Sequence, residues 1–264
     1  MNTTELFSYL GALIIGLVLG LIGGGGSILT VPLLVYFLGY NPLVATAYSL
    51  FVVGASSMIG ALQKYRKRLV DIKTALTFTF PSFIAVYLSR RYLVPGIPNT
   101  LIRFDEYLLT KEMGIMLFFA LIMLLAALSM IKKSSPKAPK SNEKQSYFKI
   151  LFIGFTIGTI TGIIGAGGGF LYVPALVILA QIPMKKAVGT SLLIVTINSL
   201  RGFIGDIQTL DVAWCFLLTF TFISIIGIVL GGYLSKFISN SKLKKSFGYF
   251  VIIMAVFIIY KELS

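Results

Sequence analysis

The chain contains no histidine, a single cysteine (Cys215) and only nine acidic residues among 264. Without histidine it lacks the commonest metal ligand and the commonest proton shuttle near neutral pH. One cysteine excludes a disulfide framework and a cysteine-based metal cluster. Charge of either sign is scarce, at 12% of residues, while 57% are hydrophobic, against about 45–50% in an average soluble domain. A membrane-spanning helix uses about 20 apolar residues, so this composition could fill several spans. The mean hydropathy of +0.93 excludes both a soluble globular domain and a disordered chain. What remains is a polytopic helical membrane protein.

The net charge of +14 does not mark a nucleic-acid binder. Its lysines and arginines stand in short runs between apolar segments, as in Lys64-Tyr65-Arg66-Lys67-Arg68 and Lys242-Leu243-Lys244-Lys245. That is the pattern of cytoplasmic loops. The N-terminus carries Glu5 and no basic residue before the first apolar run. It lacks the positive start of a cleavable signal and reads as a segment that stays outside.

Apolar runs fall at 7–38, 43–62, 74–94, 114–131, 150–180, 187–205, 212–234 and 246–260. The first and fifth are too long for one simple span. Both are split by glycines, Gly23-Gly24-Gly25-Gly26 in one and Gly165-Ala166-Gly167-Gly168-Gly169 in the other. Residues 132–149 are polar, with Pro136, Pro139 and several lysines, and read as a cytoplasmic linker. They divide a first transmembrane repeat, 1–131, from a second, 150–264.

The halves repeat one another. A shift of 142 lays IGGGGSILTVPLLV (22–35) over IGAGGGFLYVPALV (164–177), and about 17 of 45 positions from residue 16 to 60 are identical. Further on, a shift of 140 sets VDIKTAL (70–76) against LDVAWCF (210–216). This pairs Asp71 with Asp211 as helix caps.

Loop charge bears on orientation. If each glycine-split segment turns back at its glycines, 17 of the 23 basic residues share one side and 6 the other. If each crosses once, the bias disappears. The positive-inside rule therefore predicts two inverted repeats with both termini outside. Each would hold a glycine-broken re-entrant (or paired short) helix segment of about 15 residues per arm plus three transmembrane helices. The expected fold is all-α.

The helix that starts after each glycine run presents free backbone N–H groups and the positive end of its dipole at the tip. Two such tips meeting near the midplane would form an anion site without a buried charge. Gly24, Gly25, Gly26, Gly167, Gly168 and Gly169 are the backbone candidates. The same glycines could instead serve only close helix packing. Ser27, Thr30 and Tyr172 lie beside them. Ser49, Ser57, Thr190, Ser191, Asn198 and Ser199 lie on the helix that follows in each half. These hydroxyls and the amide suit an oxyanion, or they satisfy their own helix carbonyls. Arg201 is the one basic residue well inside an expected span; it could attract an anion, or snorkel or pair with Asp206.

The doubled GGGGSILTVP and GAGGGFLYVP, the second followed by AVGTSL (187–192), resemble the TauE/SafE family of sulfite exporters over nearly the whole chain. The first copy departs from the pattern, with Ala45-Thr46-Ala47-Tyr48-Ser49. The resemblance implies a secondary transporter, not an enzyme, for a small sulfur-containing anion such as sulfite, sulfoacetate or another sulfonate. It would work by alternating access in a bacterial-type cytoplasmic membrane, without a cofactor. An anion channel, or a transporter of a non-sulfur organic anion, would use the same features. Proton and sodium coupling, substrate, direction and oligomeric state stay open.

Overall fold

A computed structural model of the chain describes residues 3–24, 26–104, 107–131, 147–164, 168–178, 180, 182–207 and 210–263. Its first arm, α1 (Thr3–Ile22), is followed after the glycines by α2 (Gly26–Pro32) and a π-helical turn, Leu33–Phe37. Next come α3 (Pro42–Arg66), α4 (Ile72–Leu88), a second π-helical turn (Ser89–Leu93) and the short α5 (Val94–Gly96). Strands β1 (Thr100–Phe104) and β2 (Tyr107–Thr110) lead into α6 (Lys111–Ile131). The second half holds α7 (Tyr147–Ile164), α8 (Gly169–Ile178), α9 (Met184–Asp206), α10 (Trp214–Leu234) and α11 (Asn240–Leu263).

Among the described residues, five helical segments are long and apolar enough to cross a membrane: Pro42–Arg66, Ile72–Gly96, Lys111–Leu128, Met184–Asp206 and Trp214–Leu234. Shorter apolar helices cover Phe7–Ile22, Ile28–Phe37 and Leu151–Ile164. Large side chains such as Phe7, Phe80, Phe152, Phe222 and Tyr260 are exposed. Helices that are apolar on their outward faces suit a lipid surround.

Two expectations need correction. The chain is not purely helical, because β1 and β2 form an antiparallel hairpin with Phe104 opposite Tyr107. Pro95, Gly96 and Pro98 stop the preceding helix, and the short alternating stretch that follows pairs with itself instead. The arms around the glycines are also unequal rather than about 15 residues each. α1 has 20 residues and α7 has 18, whereas α8 has 10. The apolar stretches of the first arms are Phe7–Ile22 and Leu151–Ile164, and each helix runs about a turn further upstream, where nothing breaks it.

α2 doubles back along α1. Gly26 lies against Ile15 and Leu19, and Leu33 fills the space beside Gly11. The α3 start is sharp: Asn41 accepts a hydrogen bond from the Leu43 N–H at 2.9 Å, and Pro42 occupies the first turn.

Packing follows a two-fold pattern with the 142-residue shift. Gly16 of α1 rests on the Ser224 carbonyl of α10, and Gly158 of α7 rests on the Ser82 carbonyl of α4. Ser56 Oγ donates to Ser224 Oγ at 3.0 Å, and its equivalent Asn198 donates to Ser82 Oγ at 2.6 Å. The Asp71 N–H donates to Thr190 Oγ1, and the Ala213 N–H donates to the Tyr48 hydroxyl. The equivalent helices α3 and α9 run antiparallel, with Leu50 beside Gly202, Gly54 beside Leu200 and Gly60 beside Leu192. Small residues let these backbones approach closely, as membrane helices require.

The shift of 142 therefore persists where 140 was expected. Asp71 caps α4 by accepting from the Thr74 N–H at 3.1 Å. Ala213, not Asp211, stands at the start of α10, and no side chain caps it.

Candidate functional site

The two glycine turns meet. A methyl group at Gly24 would fall on the backbone of Gly169, and one at Gly169 would fall on Gly24. Gly169 also touches the side chain of Val195, the middle residue of α9. Gly23 and Gly168 adopt φ of +81° and +67°, the left-handed region that favours glycine. These two positions explain the composition of the turns: one residue reverses the chain and its neighbours admit a second backbone.

Around this crossing the polar groups are buried. Ser191 Oγ lies 2.7 Å from the Gly23 carbonyl and 2.9 Å from that of Val188, sharing its proton between them. Thr30 donates to the Gly26 carbonyl at 2.9 Å. Asn198 Nδ2 donates to Ser82 Oγ and, at 2.7 Å, to the Tyr172 hydroxyl. Thr190 donates to the Lys186 carbonyl and accepts from the Asp71 N–H.

Ser49 Oγ, Ser57 Oγ, Ser199 Oγ and Asn198 Oδ1 are buried and have no hydrogen-bond partner among the described residues. Buried polar atoms are ordinarily paired. Hence these four, on α3 and α9, have hydrogen-bonding capacity left for a ligand or water.

The structure thus brings Gly24, Gly169 and Ser191 to one crossing, with Gly26 and Gly168 in the same turns. Gly25 and Gly167 lie outside the described residues, as does the side chain of Ser27. Thr190 is engaged at the start of α9 with the loop before α4.

Arg201 belongs elsewhere. It is exposed, with its guanidinium 5.4 Å from the centre of the Phe83 ring. It stands six residues beyond Val195, about 9 Å along the helix. Its exposure suits the snorkelling reading, and Asp206 pairs with a different cation: Arg90 Nη1 lies 3.1 Å away, with side chains only 6% and 15% exposed.

Arg90 is not among the residues the sequence singles out. The signal was its place inside the apolar run 74–94, where a cation demands a partner. Among the described residues no group of three or more His, Cys, Asp or Glu could hold a metal ion.

The sequence profile of the sulfite exporter TauE/SafE family matches residues 8–258. A "probable membrane transporter protein" of Xylella fastidiosa (strain 9a5c) is 30% identical over 262 residues, covering 94% of this chain and 92% of that protein. The "probable membrane transporter protein YunE" of Bacillus subtilis (strain 168) is 28% identical over 78% of this chain and 79% of its own length. A "probable membrane transporter protein" of Methanocaldococcus jannaschii is 35% identical over 114 residues, 41% of this chain and 43% of that protein. No solved structure matches. With its doubled glycine turns and its family profile spanning residues 8–258, the chain belongs to the sulfite exporter TauE/SafE family of membrane transporters.

Proposed function

We propose that the protein is a secondary transporter of a small sulfur-containing anion, such as sulfite, sulfoacetate or another sulfonate, and that the anion binds where the two glycine turns cross. The observation that carries this reading is the contact of Gly24 with Gly169 beside the midpoint of α9. Helix starts meeting there supply backbone N–H groups and positive dipole ends. Ser49, Ser57, Ser199 and Asn198 retain hydrogen-bonding capacity for oxyanion oxygens.

The two repeats, 1–131 and 150–264, are inverted in a cytoplasmic membrane, joined by the linker 132–149, with both termini outside. The antiparallel pairing of α3 with α9 supports inversion, since a two-fold axis across the helices reverses each half. The turn-back of α2 on α1 supports a re-entrant hairpin.

Backbone-on-backbone packing leaves no room for an anion between Gly24 and Gly169. Binding therefore requires the hairpins to part, and rocking of one half against the other would supply that motion in alternating access.

The test is stability of the purified protein against a panel of sulfite, sulfate, sulfoacetate, taurine, aromatic sulfonates, acetate and chloride. Ligand at a hundred times its dissociation constant should add about 2.7 kcal/mol to the folded state. Stabilisation by a sulfur anion alone is expected. Stabilisation by acetate with none by any sulfur anion would replace the substrate class.

A further inference from the structure

The end of the bundle where α4, α6 and α9 terminate or begin holds a cavity of about 570 Å³. Among the described residues, Arg90, Arg91, Lys111 and Arg201 line it together with the carboxylate of Asp206. Arg90 and Lys111 are buried. No repeat-level expectation accounts for this wall, and Arg201 is its only member that sequence reading singled out.

Arg90 is the informative residue. It sits in the π-helical turn Ser89–Leu93, the kind of irregularity that often accompanies a functional position. Its Nη1 is engaged, 3.1 Å from Asp206 and 3.3 Å from Thr46 Oγ1. Its Nε and Nη2 are buried and have no hydrogen-bond partner among the described residues. Those two nitrogens form the side edge of the guanidinium, a parallel pair of donors matched to two oxygens of one oxyanion. A buried, half-satisfied guanidinium is costly, whereas an oxyanion on that edge would complete it.

The two-fold partner of this place is built differently. The counterpart of Arg90 is Gly232, where Gln63 fills the space. The counterpart of Asp206 is Lys64, buried and donating to Ser235 Oγ at 2.8 Å. Hence the pairing of Arg90 with Asp206 is not a by-product of the repeat.

The geometry points to a second anion site, an antechamber in which the side edge of Arg90, with Lys111 and Arg201, binds a small free oxyanion with at least two acceptor oxygens. A positively lined cleft also concentrates anions ahead of the crossing. The inference rests on the transporter reading for the class of anion and on Arg90 for its place. A lipid phosphate offers the same oxygens, and the test separates the two.

Methanesulfonate is titrated calorimetrically into protein purified in neutral detergent without anionic lipid. In Gly169→Val, where the glycine crossing is blocked, binding is expected to persist and to weaken with added sodium chloride. Adding Arg201→Gln and Lys111→Gln to that variant should weaken it at least about tenfold, the loss expected of removing charge-assisted contacts. If Gly169→Val does not fold, the same pair is placed in the unaltered sequence, where the salt-sensitive component should disappear.

Unchanged affinity after loss of both cations would overturn the antechamber. So would loss of all binding in folded Gly169→Val, which would assign the anion to the crossing alone. No binding of methanesulfonate, with binding of a short-chain phosphatidylglycerol abolished by the pair, would overturn it in favour of a lipid headgroup. Binding that depends on Arg201 and Lys111 in a protein that carries no flux would keep the site and sink the transporter reading.

Discussion

Asn198 of α9 stands on Ser82 of α4 as Ser56 of α3 stands on Ser224 of α10, so each bond ties one half of the chain to the other. Asn198 also holds the Tyr172 hydroxyl at 2.7 Å. Asn198→Leu should leave two buried hydroxyls without this partner and cost about 1–3 kcal/mol. Asn198→Ser, which copies the other half, should recover part of that loss. Chemical or thermal unfolding in detergent measures both, and equal stability of Leu and Ser would count against the account.

The glycines of the long arms make a matched prediction. Gly16→Val and Gly158→Val each drive a side chain into a carbonyl, of Ser224 and Ser82 respectively. Each should destabilise by about 1–3 kcal/mol or more, the usual cost of overpacking. Gly96 meets nothing within 4 Å, so Gly96→Ala should be neutral or slightly stabilising. A large effect at Gly96, or none at Gly16, would contradict the packing described.

Arg90 and Asp206 form a pair withdrawn from solvent. Asp206→Asn should cost about 3–5 kcal/mol, because it strands a buried cation. Replacing both, as Arg90→Met with Asp206→Leu, should cost less than Asp206→Asn alone. A double-mutant cycle on unfolding free energy decides, and simple additivity would argue that the pair contributes nothing.

Asp71, in the loop before α4, carries the pH prediction. Partial burial tends to raise its carboxyl. The Thr74 N–H and the Lys186 ammonium, 3.3 Å away, outweigh that and hold it below the usual 3.8. A carboxylate depressed on folding stabilises above its unfolded value and loses that contribution as pH falls through the folded value. The unfolding-temperature gap between the parent and Asp71→Asn should therefore be constant near pH 6 and close below about pH 4. A gap that widens on acidification would reverse the sign.

Much of this architecture was legible in the sequence, because repetition is a pattern that needs no partner. Gly23 to Pro32 and Gly165 to Pro174 announced two breaks at one spacing, and Lys64 to Arg68 marked a loop. The contact of Gly24 with Gly169 is more than a pattern can give, since it depends on how two hairpins cross. Arg90 escaped because its partner comes from another helix and its neighbour Arg91 is exposed. Arg201 lies in an apolar segment, so the sequence left its side chain's direction open between the interior and the surface, and it lies exposed over Phe83. The register beyond residue 70 looked like 140 because two aspartates aligned, whereas the backbone bonds of Asp71 and Ala213 keep it at 142.

The proposed path takes the anion across the membrane where Gly24 and Gly169 meet. Uptake of labelled sulfite into vesicles holding the purified protein, with and without sulfite inside, tests it most directly. The account predicts saturable uptake that internal sulfite accelerates and that Gly169→Val abolishes in a folded protein. Uptake that rises without saturation and ignores internal sulfite, or that survives valine at residue 169, would contradict it.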